Sequence, residues 1–221
     1  MTIEKFIDKG FYINLDYKTK RNEAMQKTLK DYNLDNIVER IDAVKAFDHT
    51  VKCDFASEEW RKCVDSCAKS HLSIIEKAKA ENLEKILIFE DDIEFIEDGE
   101  TPCMEKINSA INSIINIPWD ILYLGGVLLD NEINKIDKHL IKINRMSGSH
   151  AYILNKNSYD FIINEYHYGY PMDRLLEASL KNKYCVYGCA ISQNGDDLSD
   201  IGGHQSFGKQ GFIDSFDKLN K

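Results

Sequence analysis

Apolar and polar positions along the first half of the chain predict strands and helices in alternation. The predicted strands are residues 11–15, 37–43, 85–89 and 120–124, and the predicted helices are residues 17–32, 57–83 and 103–117. The middle helix is long enough that we expect two pieces, with Ser66 and Ser70 as caps near the break. Strands that alternate with helices are typical of an α/β fold with a mostly parallel central sheet flanked by helices.

The second half of the chain has a looser pattern. Residues 138–144 and 150–154 predict strands that could pair antiparallel, residues 155–166 and 172–182 predict helices, and residues 184–188 predict a last strand. Residues 191–221 are rich in Gly, Asp and Ser and show no period. Because no repeat or linker interrupts the chain, we expect one domain over residues 1–221, with 205–221 as a flexible tail.

Composition narrows the class of protein. Among 221 residues, 28 Lys and Arg stand against 37 Asp and Glu, which gives a net charge of −9. This balance argues against nucleic acid as a partner, because such proteins concentrate positive charge. No apolar run reaches the roughly 20 residues of a membrane span, and the N-terminus is charged. We therefore expect a cytoplasmic protein without a signal peptide or transmembrane segment.

The six cysteines do not follow a familiar metal or redox spacing. Cys63 and Cys67 are four residues apart, as are Cys185 and Cys189, which matches neither a zinc ribbon nor a thioredoxin motif. We expect reduced, mostly buried thiols, and a structural zinc site is the alternative.

An acidic cluster follows the most apolar predicted strand. Residues 86–89 are Ile-Leu-Ile-Phe, and Glu90, Asp91 and Asp92 come directly after them. Ligands of open α/β sheets bind beyond the carboxyl ends of strands, and a divalent cation would relieve the repulsion among three carboxylates. Mg²⁺ and Mn²⁺ suit such oxygen ligands and bridge to phosphates. On an extended chain Glu90 and Asp92 point together and Asp91 away. The alternative is that these acids cap the next element or lie in solvent.

Seven segments in chain order form a recognisable set. They are residues 11–16 with Arg21, residues 66–71 (Ser-Cys-Ala-Lys-Ser-His), residues 86–92, residues 119–125, residues 148–152, residues 171–173 (Pro-Met-Asp), and Gln193 with residues 199–201. Together they resemble glycosyltransferase family 25, the lipooligosaccharide galactosyltransferases of bacteria and the collagen galactosyltransferases of animals. The chain departs from that family at Ser66, where Gly is usual, and at residues 46–48.

The resemblance implies a GT-A-like fold, with residues 10–126 as the nucleotide-sugar-binding half and residues 127–204 as the acceptor-binding half. It also implies an inverting, metal-dependent transfer of a hexose from a UDP-sugar to a hydroxyl of a glycan or of hydroxylysine. Galactose is favoured and glucose is an alternative, Mn²⁺ is favoured over Mg²⁺, and lipopolysaccharide biosynthesis is the expected context. Peripheral membrane contact stays open.

The same resemblance implies roles for individual residues. The metal ligands are Asp92 and His204, with Asp200 behind His204; the alternative for His204 is a surface histidine. Asp173 is the base that accepts the acceptor's proton, with a plain helix-cap role as its alternative and Asp120 as the runner-up base.

Contacts to the nucleotide sugar are expected from Asn14, Leu15, Asp16, Arg21, Ser70, His71, Glu90, Asp91 and Gly125. The alternatives are that Arg21 is a solvated helix residue, that His71 is structural, and that Gly125 belongs to an ordinary turn.

Two other functions are compatible with carboxylates at a strand end. A metal-dependent nucleotidyltransferase would usually need a basic, Gly-rich loop near Leu15, and the sequence has none there. A catalytically inactive glycan-binding or scaffolding relative is the second rival, and the intact acidic cluster with Asp173 argues against it.

Overall fold

The chain builds a large β-sheet between two layers of helices; the computed structural model describes residues 1–47, 55–97, 101–194 and 208–217. The α-helices of these residues are α1 (Ile3–Phe6), α2 (Thr19–Asp31), α3 (Glu58–Ala80), α4 (Cys103–Ile114), α5 (Tyr159–Glu165), α6 (Met172–Ser179) and α7 (Gly208–Asp217). A 3₁₀ turn, Lys156–Ser158, leads into α5.

The strands of the described residues are β1 (Lys9–Asn14), β2 (Val38–Asp42), β3 (Lys85–Glu90), β4 (Ile93–Phe95), β5 (Ile121–Tyr123), β6 (Val127–Leu128), β7 (Asn134–Lys135), β8 (Leu140–Ile143), β9 (Met146–Ser147), β10 (Ala151–Asn155), β11 (Lys183–Val186) and β12 (Ile191–Gln193). Each strand predicted from the apolar runs is present within a few residues of its expected bounds.

Eight strands form the main sheet in the order β2-β1-β3-β10-β5-β11-β8-β7. Only β10 and β8 run against the others, so six of these eight strands share one direction. In β3, residues 86–89 are fully buried, as expected for a strand covered by helices on both faces. The predicted α/β fold with a mostly parallel central sheet is confirmed.

The predicted pairing of the two later strands is wrong. β10 lies between β3 and β5 and pairs antiparallel with both, whereas β8 pairs with β11 and β7. The reason is burial: Tyr152, Ile153 and Leu154 in β10 are fully buried and need cover on both faces, which a central position provides. Strands from both predicted halves of the chain therefore share one sheet.

Alternating side chains of the sheet feed two apolar cores. Phe11, Ile86 and Ile88 pack on one face with residues of α3, α5, α6 and α7. Tyr12 and Leu87 pack on the other face with residues of α1, α2 and α4. Because successive side chains of a strand point to opposite faces of the sheet, the position of a polar residue in the strand determines the face on which its side chain lies.

The helix α3 is continuous, so the prediction of two pieces with caps at Ser66 and Ser70 is wrong. Its cap is Ser57, whose side chain accepts a hydrogen bond from the Trp60 amide. Ser70 instead donates its hydroxyl to the Ser66 carbonyl one turn earlier, at 2.7 Å, a bond that serine makes within helices.

Part of the predicted flexible tail is helical. In α7, Phe212 and Phe216 are 1% and 2% exposed and belong to the core beneath the sheet. The Leu128 amide donates to Ser215 at 3.2 Å, which ties α7 to β6. The expectation of a flexible tail is therefore wrong for residues 208–217, because two buried aromatic rings anchor that segment.

Among the helices of the described residues, none combines the length and the apolar character needed to cross a membrane.

Candidate functional site

The acidic cluster lies where β3 ends, at the carboxyl edge of the sheet. Glu90 is the last residue of β3, Asp91 and Asp92 form the turn, and β4 begins at Ile93. Glu90 and Asp92 both face Gln193, while Asp91 faces β1 and α2. As predicted, Glu90 and Asp92 point to the same side and Asp91 points away from them.

Asp91 is held by residues from the first strand and the first long helix. Asn14, the last residue of β1, donates its amide to Asp91 Oδ2 at 2.5 Å. Arg21 donates its guanidinium to Asp91 Oδ1 at 3.1 Å, and Arg40 donates to the Asn14 side-chain oxygen at 2.9 Å. Two arginines and an amide therefore fix this side of the acidic cluster, so Arg21 is not a solvated helix residue.

Asp92 has less positive charge around it than Asp91 has. Its carboxylate lies 4.0 Å from the Arg21 guanidinium, and Gln193 donates to it at 3.4 Å. Burial, reinforced by the neighbouring Glu90 and opposed by Arg21, raises the pKa of Asp92 to about 7. A carboxylate in this position gains from a cation bound nearby.

Glu90 contacts two segments of the sheet edge and the helix α3. Ser149 donates to Glu90 Oε1 at 2.9 Å, and Gln193 lies 3.4 Å from Oε2. His71 on α3 places Nε2 3.4 Å from Oε1. Burial alone would raise the pKa of Glu90, but the polar contact and charge of His71 outweigh it, with His150 and Ser149 adding to the effect, so the pKa lies below its usual range.

A cleft of about 240 Å³ opens beside Glu90. Its wall combines carboxylates and hydroxyls with apolar and aromatic side chains, a mixture suited to a polyhydroxylated ligand. The lining residues are Trp60, Val64, Cys67, Glu90, Val127, Ser147, Gly148, Ser149, Pro171, Met172, Asp173, Gln193 and Phe212.

The structure places Asp173 on this cleft, in the first turn of α6 after Pro171. Its Oδ2 accepts from the Ser147 hydroxyl at 3.0 Å and from the Gly148 amide at 3.3 Å. Its Oδ1 accepts from the Arg174 amide at 2.8 Å. These bonds orient the carboxylate within the cleft that Glu90 also lines.

Asp120 lies at the wrong end of the sheet for its predicted alternative role as the base. It precedes β5, which runs parallel to β3, so it stands at the edge opposite the acidic cluster. Its Oδ2 accepts from the amides of Lys181 and Asn182 at 3.1 and 2.8 Å. Asp120 is therefore a structural anchor for the segment before β11.

Two residues predicted to contact the donor have structural partners instead. Ser70 is 1% exposed, and its hydroxyl accepts from the Val44 amide at 2.8 Å, which fixes the loop after β2. His71 is fully buried, and its Nδ1 lies 2.8 Å from the Tyr152 hydroxyl. His71 thus contacts Glu90 from the side of α3. This arrangement agrees with the structural role that is the alternative for His71.

The space beside Gly125 belongs to the protein's own backbone. A Cβ on Gly125 would stand 1.6 Å from the Ile191 carbonyl oxygen and 3.0 Å from the Cys189 sulfur. The predicted approach of a sugar to Gly125 is therefore wrong on that side, because β12 fills the position. Glycine here lets two backbone segments meet.

The remaining predicted site residues lie at the margin of the site or outside the part of the chain that the structure describes. Leu15 is half-buried just after β1, and Asp16 is exposed and paired with Lys45 at 2.6 Å. His204 and Asp200, the second metal ligand and its support, lie outside the described residues.

Sequence reasoning did not select four residues that the structure brings to the site. Ser149 and Gln193 contact Glu90, and Trp60 and Cys67 line the cleft. Ser149, Gln193 and Cys67 lie in segments that carry the family resemblance, which is the signal that could have identified them. Trp60 lies outside those segments, on a helix whose single-piece geometry was not foreseen.

Residues 7–176 match the family described as "Glycosyltransferase family 25 (LPS biosynthesis protein)". That stretch covers most of the 221 residues and contains the acidic cluster and Asp173. The chain belongs to glycosyltransferase family 25. As a member of this family it is a glycosyltransferase, whose substrates are a nucleotide sugar donor and a glycan acceptor. No curated protein matches the sequence.

Solved structures similar to this family 25 chain share little sequence with it. A197 from STIV is 10% identical, with 80% of each chain covered and a TM-score of 0.44. A UDP-glucose pyrophosphorylase complexed with UDP-glucose is 10% identical, covers 97% of this chain and 98% of its own, and has a TM-score of 0.45. A putative glucose-1-phosphate thymidylyltransferase from Bacillus anthracis is 10% identical, with coverages of 91% and 78% and a TM-score of 0.44. Likenesses of this size carry no argument about function.

Proposed function

We propose that this family 25 chain is an inverting, metal-dependent transferase that moves a hexose from a UDP-sugar to a hydroxyl group of a glycan or of hydroxylysine. The observation that carries the proposal is the partly buried Asp91–Asp92 turn at the carboxyl end of β3, beside a cleft that contains Asp173. Donor chemistry and acceptor chemistry then meet at one edge of the sheet. Galactose is the preferred sugar, with glucose as the alternative.

The donor set of the acidic turn fits Mn²⁺ or Mg²⁺. Both ions favour carboxylate oxygen and keep positions for phosphate oxygens, and the partly buried Asp92 carboxylate lies 4.0 Å from an Arg21 guanidinium that binds Asp91 more closely. Asp92 would hold the ion, and Gln193 would orient Asp92. When bound, the ion would stabilise the charge of the departing nucleoside diphosphate.

Asn14, Arg21 and Asp91 form the wall toward the nucleotide. The Arg21 guanidinium has donors that suit a diphosphate or a base, and its bond to Asp91 holds it at the sheet edge. Asn14 fixes Asp91 in the same place. These residues would position the donor so that its sugar faces the cleft.

Asp173 is the proposed base. Transfer with inversion needs a carboxylate on the far side of the sugar from the leaving group, where it accepts the proton of the acceptor hydroxyl as that oxygen attacks. The hydrogen bonds from Ser147, Gly148 and Arg174 hold the carboxylate in one orientation. Trp60 on the cleft wall would stack on an acceptor sugar ring.

The proposal is tested by incubating the purified chain with Mn²⁺, UDP-galactose or UDP-glucose and a panel of glycan and hydroxylysine peptide acceptors. We expect UDP release together with a new glycoside whose anomeric proton, read by NMR, has the configuration opposite to that of the donor. Diphosphate release from UTP and a sugar phosphate would favour the nucleotidyltransferase instead.

A retained anomeric configuration would contradict the inverting mechanism. Binding of glycans without UDP release from either donor would favour the inactive relative. Because each alternative predicts a different outcome, these reactions and the binding measurement together distinguish all of them.

A further inference from the structure

We infer that Cys67, His71 and Glu90 form a second metal site, for Zn²⁺ or a similar borderline-soft divalent ion, distinct from the oxygen-rich turn at Asp92. One sulfur, one nitrogen and one carboxylate oxygen of these residues lie within 4.8 Å of one another. Thiolate, imidazole and carboxylate are the three ligand types that Zn²⁺ combines in proteins.

Helix geometry brings two of the ligands together. Cys67 and His71 are four residues apart on α3, which runs through both positions without a break, so their side chains lie on the same face one turn apart. Glu90 at the end of β3 faces them, with its Oε1 3.4 Å from His71 Nε2. The ligand set thus joins a rigid helix to a rigid strand.

His71 provides an independent sign that a ligand belongs here. Its ring is fully buried, and its Nε2 is among the few buried side-chain atoms of the described residues without a hydrogen-bond partner. Its Nδ1 is engaged by the Tyr152 hydroxyl at 2.8 Å. A metal ion on Nε2 would require the ring proton on Nδ1, where the Tyr152 hydroxyl can accept it, and would replace the present 3.4 Å contact between Nε2 and Glu90. Metal-bound histidines are oriented by such a second contact.

Distances and charges agree with a bound cation. Tetrahedral Zn²⁺ bonds of about 2.0–2.3 Å place ligand atoms about 3.3–3.8 Å apart, so small side-chain rotations close the set. Glu90 supplies one negative charge, and the Cys67 thiol supplies a second when it releases its proton to solvent as the Zn–S bond forms. Burial, followed by the negative charges of Glu90, Asp173 and Asp92, raises the pKa of this thiol, and a bound cation would offset that cost.

The fourth coordination position faces the cleft, because Cys67 and Glu90 both line it. A zinc ion there would take Glu90 away from Ser149 and Gln193 and stand between the donor and acceptor sides. We therefore expect Zn²⁺ to inhibit transfer; this consequence rests on the proposed function, whereas Zn²⁺ binding itself does not.

The site is tested by titrating the full chain with Co²⁺ as a spectroscopic substitute for Zn²⁺, in the presence of excess Mn²⁺. We expect the ultraviolet thiolate-to-cobalt absorption band in the unaltered protein, because the oxygen ligands near Asp92 cannot give one. Cys67→Ser should remove the band and weaken Zn²⁺ binding, because it takes away the thiolate ligand of the proposed set. Cys63→Ser, one turn earlier on α3, is the matched control and should keep both.

Absence of the band from the unaltered protein would overturn the inference, as would its persistence in Cys67→Ser or its loss in Cys63→Ser. Circular dichroism establishes that each variant is folded. If Cys67→Ser does not fold, X-ray absorption of the zinc-loaded unaltered protein decides the question: a shell with one sulfur supports the site, and a shell of oxygen and nitrogen alone contradicts it.

Discussion

At the scale of single residues, the position of a side chain on the sheet determines its chemistry more than its identity does. Asp91, Asp92 and Asp120 are the same residue type, but Asp91 pairs closely with Arg21, Asp92 lies 4.0 Å from the same guanidinium and has a raised pKa, and Asp120 binds backbone amides. The apolar run before Glu90 was enough to place the first two at a sheet edge. The parallel direction of β5 relative to β3, which the alternation of strands and helices predicts, places Asp120 at the opposite edge.

The residue that the proposed transfer needs most, apart from the metal ligand, is Asp173. Asp173→Asn keeps the size of the side chain but removes the proton acceptor, so we expect kcat to fall by about 10²–10⁴-fold while the KM for the donor stays within about threefold. Steady-state kinetics with a UDP-sugar and its acceptor measure both values.

Asp160→Asn is the matched control for Asp173→Asn, since Asp160 is also an acid in the first turn of a helix but lies on the exposed surface of α5. It should leave kcat unchanged. A normal kcat in Asp173→Asn would mean that another group is the base.

At the scale of elements, the sequence predicted those whose apolar period is continuous and missed those whose place depends on distant partners. The strands β1, β3 and β5 and the helix α4 appear close to their predicted bounds. The insertion of β10 between β3 and β5 depends on pairing with residues more than 25 positions away. The helix α7 has few apolar residues, and only the core that receives Phe212 and Phe216 explains it.

Burial of Phe216 is what we expect to anchor α7. Phe216→Ala removes a ring that is 2% exposed and packs edge-on against Tyr187, so the free energy of unfolding should fall by about 3–5 kcal/mol. Urea denaturation followed by circular dichroism gives this value. Gln210→Ala on the exposed side of the same helix should change it by less than about 0.5 kcal/mol. Equal effects of the two substitutions would show that α7 does not pack on the core.

At the scale of the whole molecule, one sheet carries both the proposed nucleotide contacts and the cleft proposed for the acceptor. The proposed nucleotide contacts come from β1, α2 and β3, and the cleft is lined from α3, α6, α7 and the segment before β10. Family resemblance predicted the order of these segments along the chain, and the roles that it implies for their residues stay predictions. It could not predict that Cys67 and His71 converge on Glu90, because that depends on α3 remaining unbroken.

Acid should weaken the fold through His150. Burial lowers the pKa of this histidine, so the folded state holds it neutral while the unfolded chain protonates it near the ordinary value of about 6.5. Its stabilising contribution is complete above that pH and is lost as pH falls toward the folded pKa, at up to about 1.4 kcal/mol per pH unit.

The measurement is the free energy of unfolding at pH 7.5, 6.5 and 5.5 for the unaltered protein and for His150→Gln. The difference between them should shrink as pH falls, since other titrating groups, Asp92 among them, cancel in the comparison. A pH-independent difference for His150→Gln would contradict the account.

Calorimetric titration of UDP into the protein, with and without Mn²⁺, tests the central claim most directly. We predict that Mn²⁺ strengthens UDP binding by at least about tenfold, that Asp92→Asn abolishes this gain, and that Glu94→Gln, an exposed acid on β4 two residues away, retains it. If Asp92→Asn binds UDP with the same dependence on Mn²⁺ as the unaltered protein, the acidic turn does not hold the metal and the account is wrong.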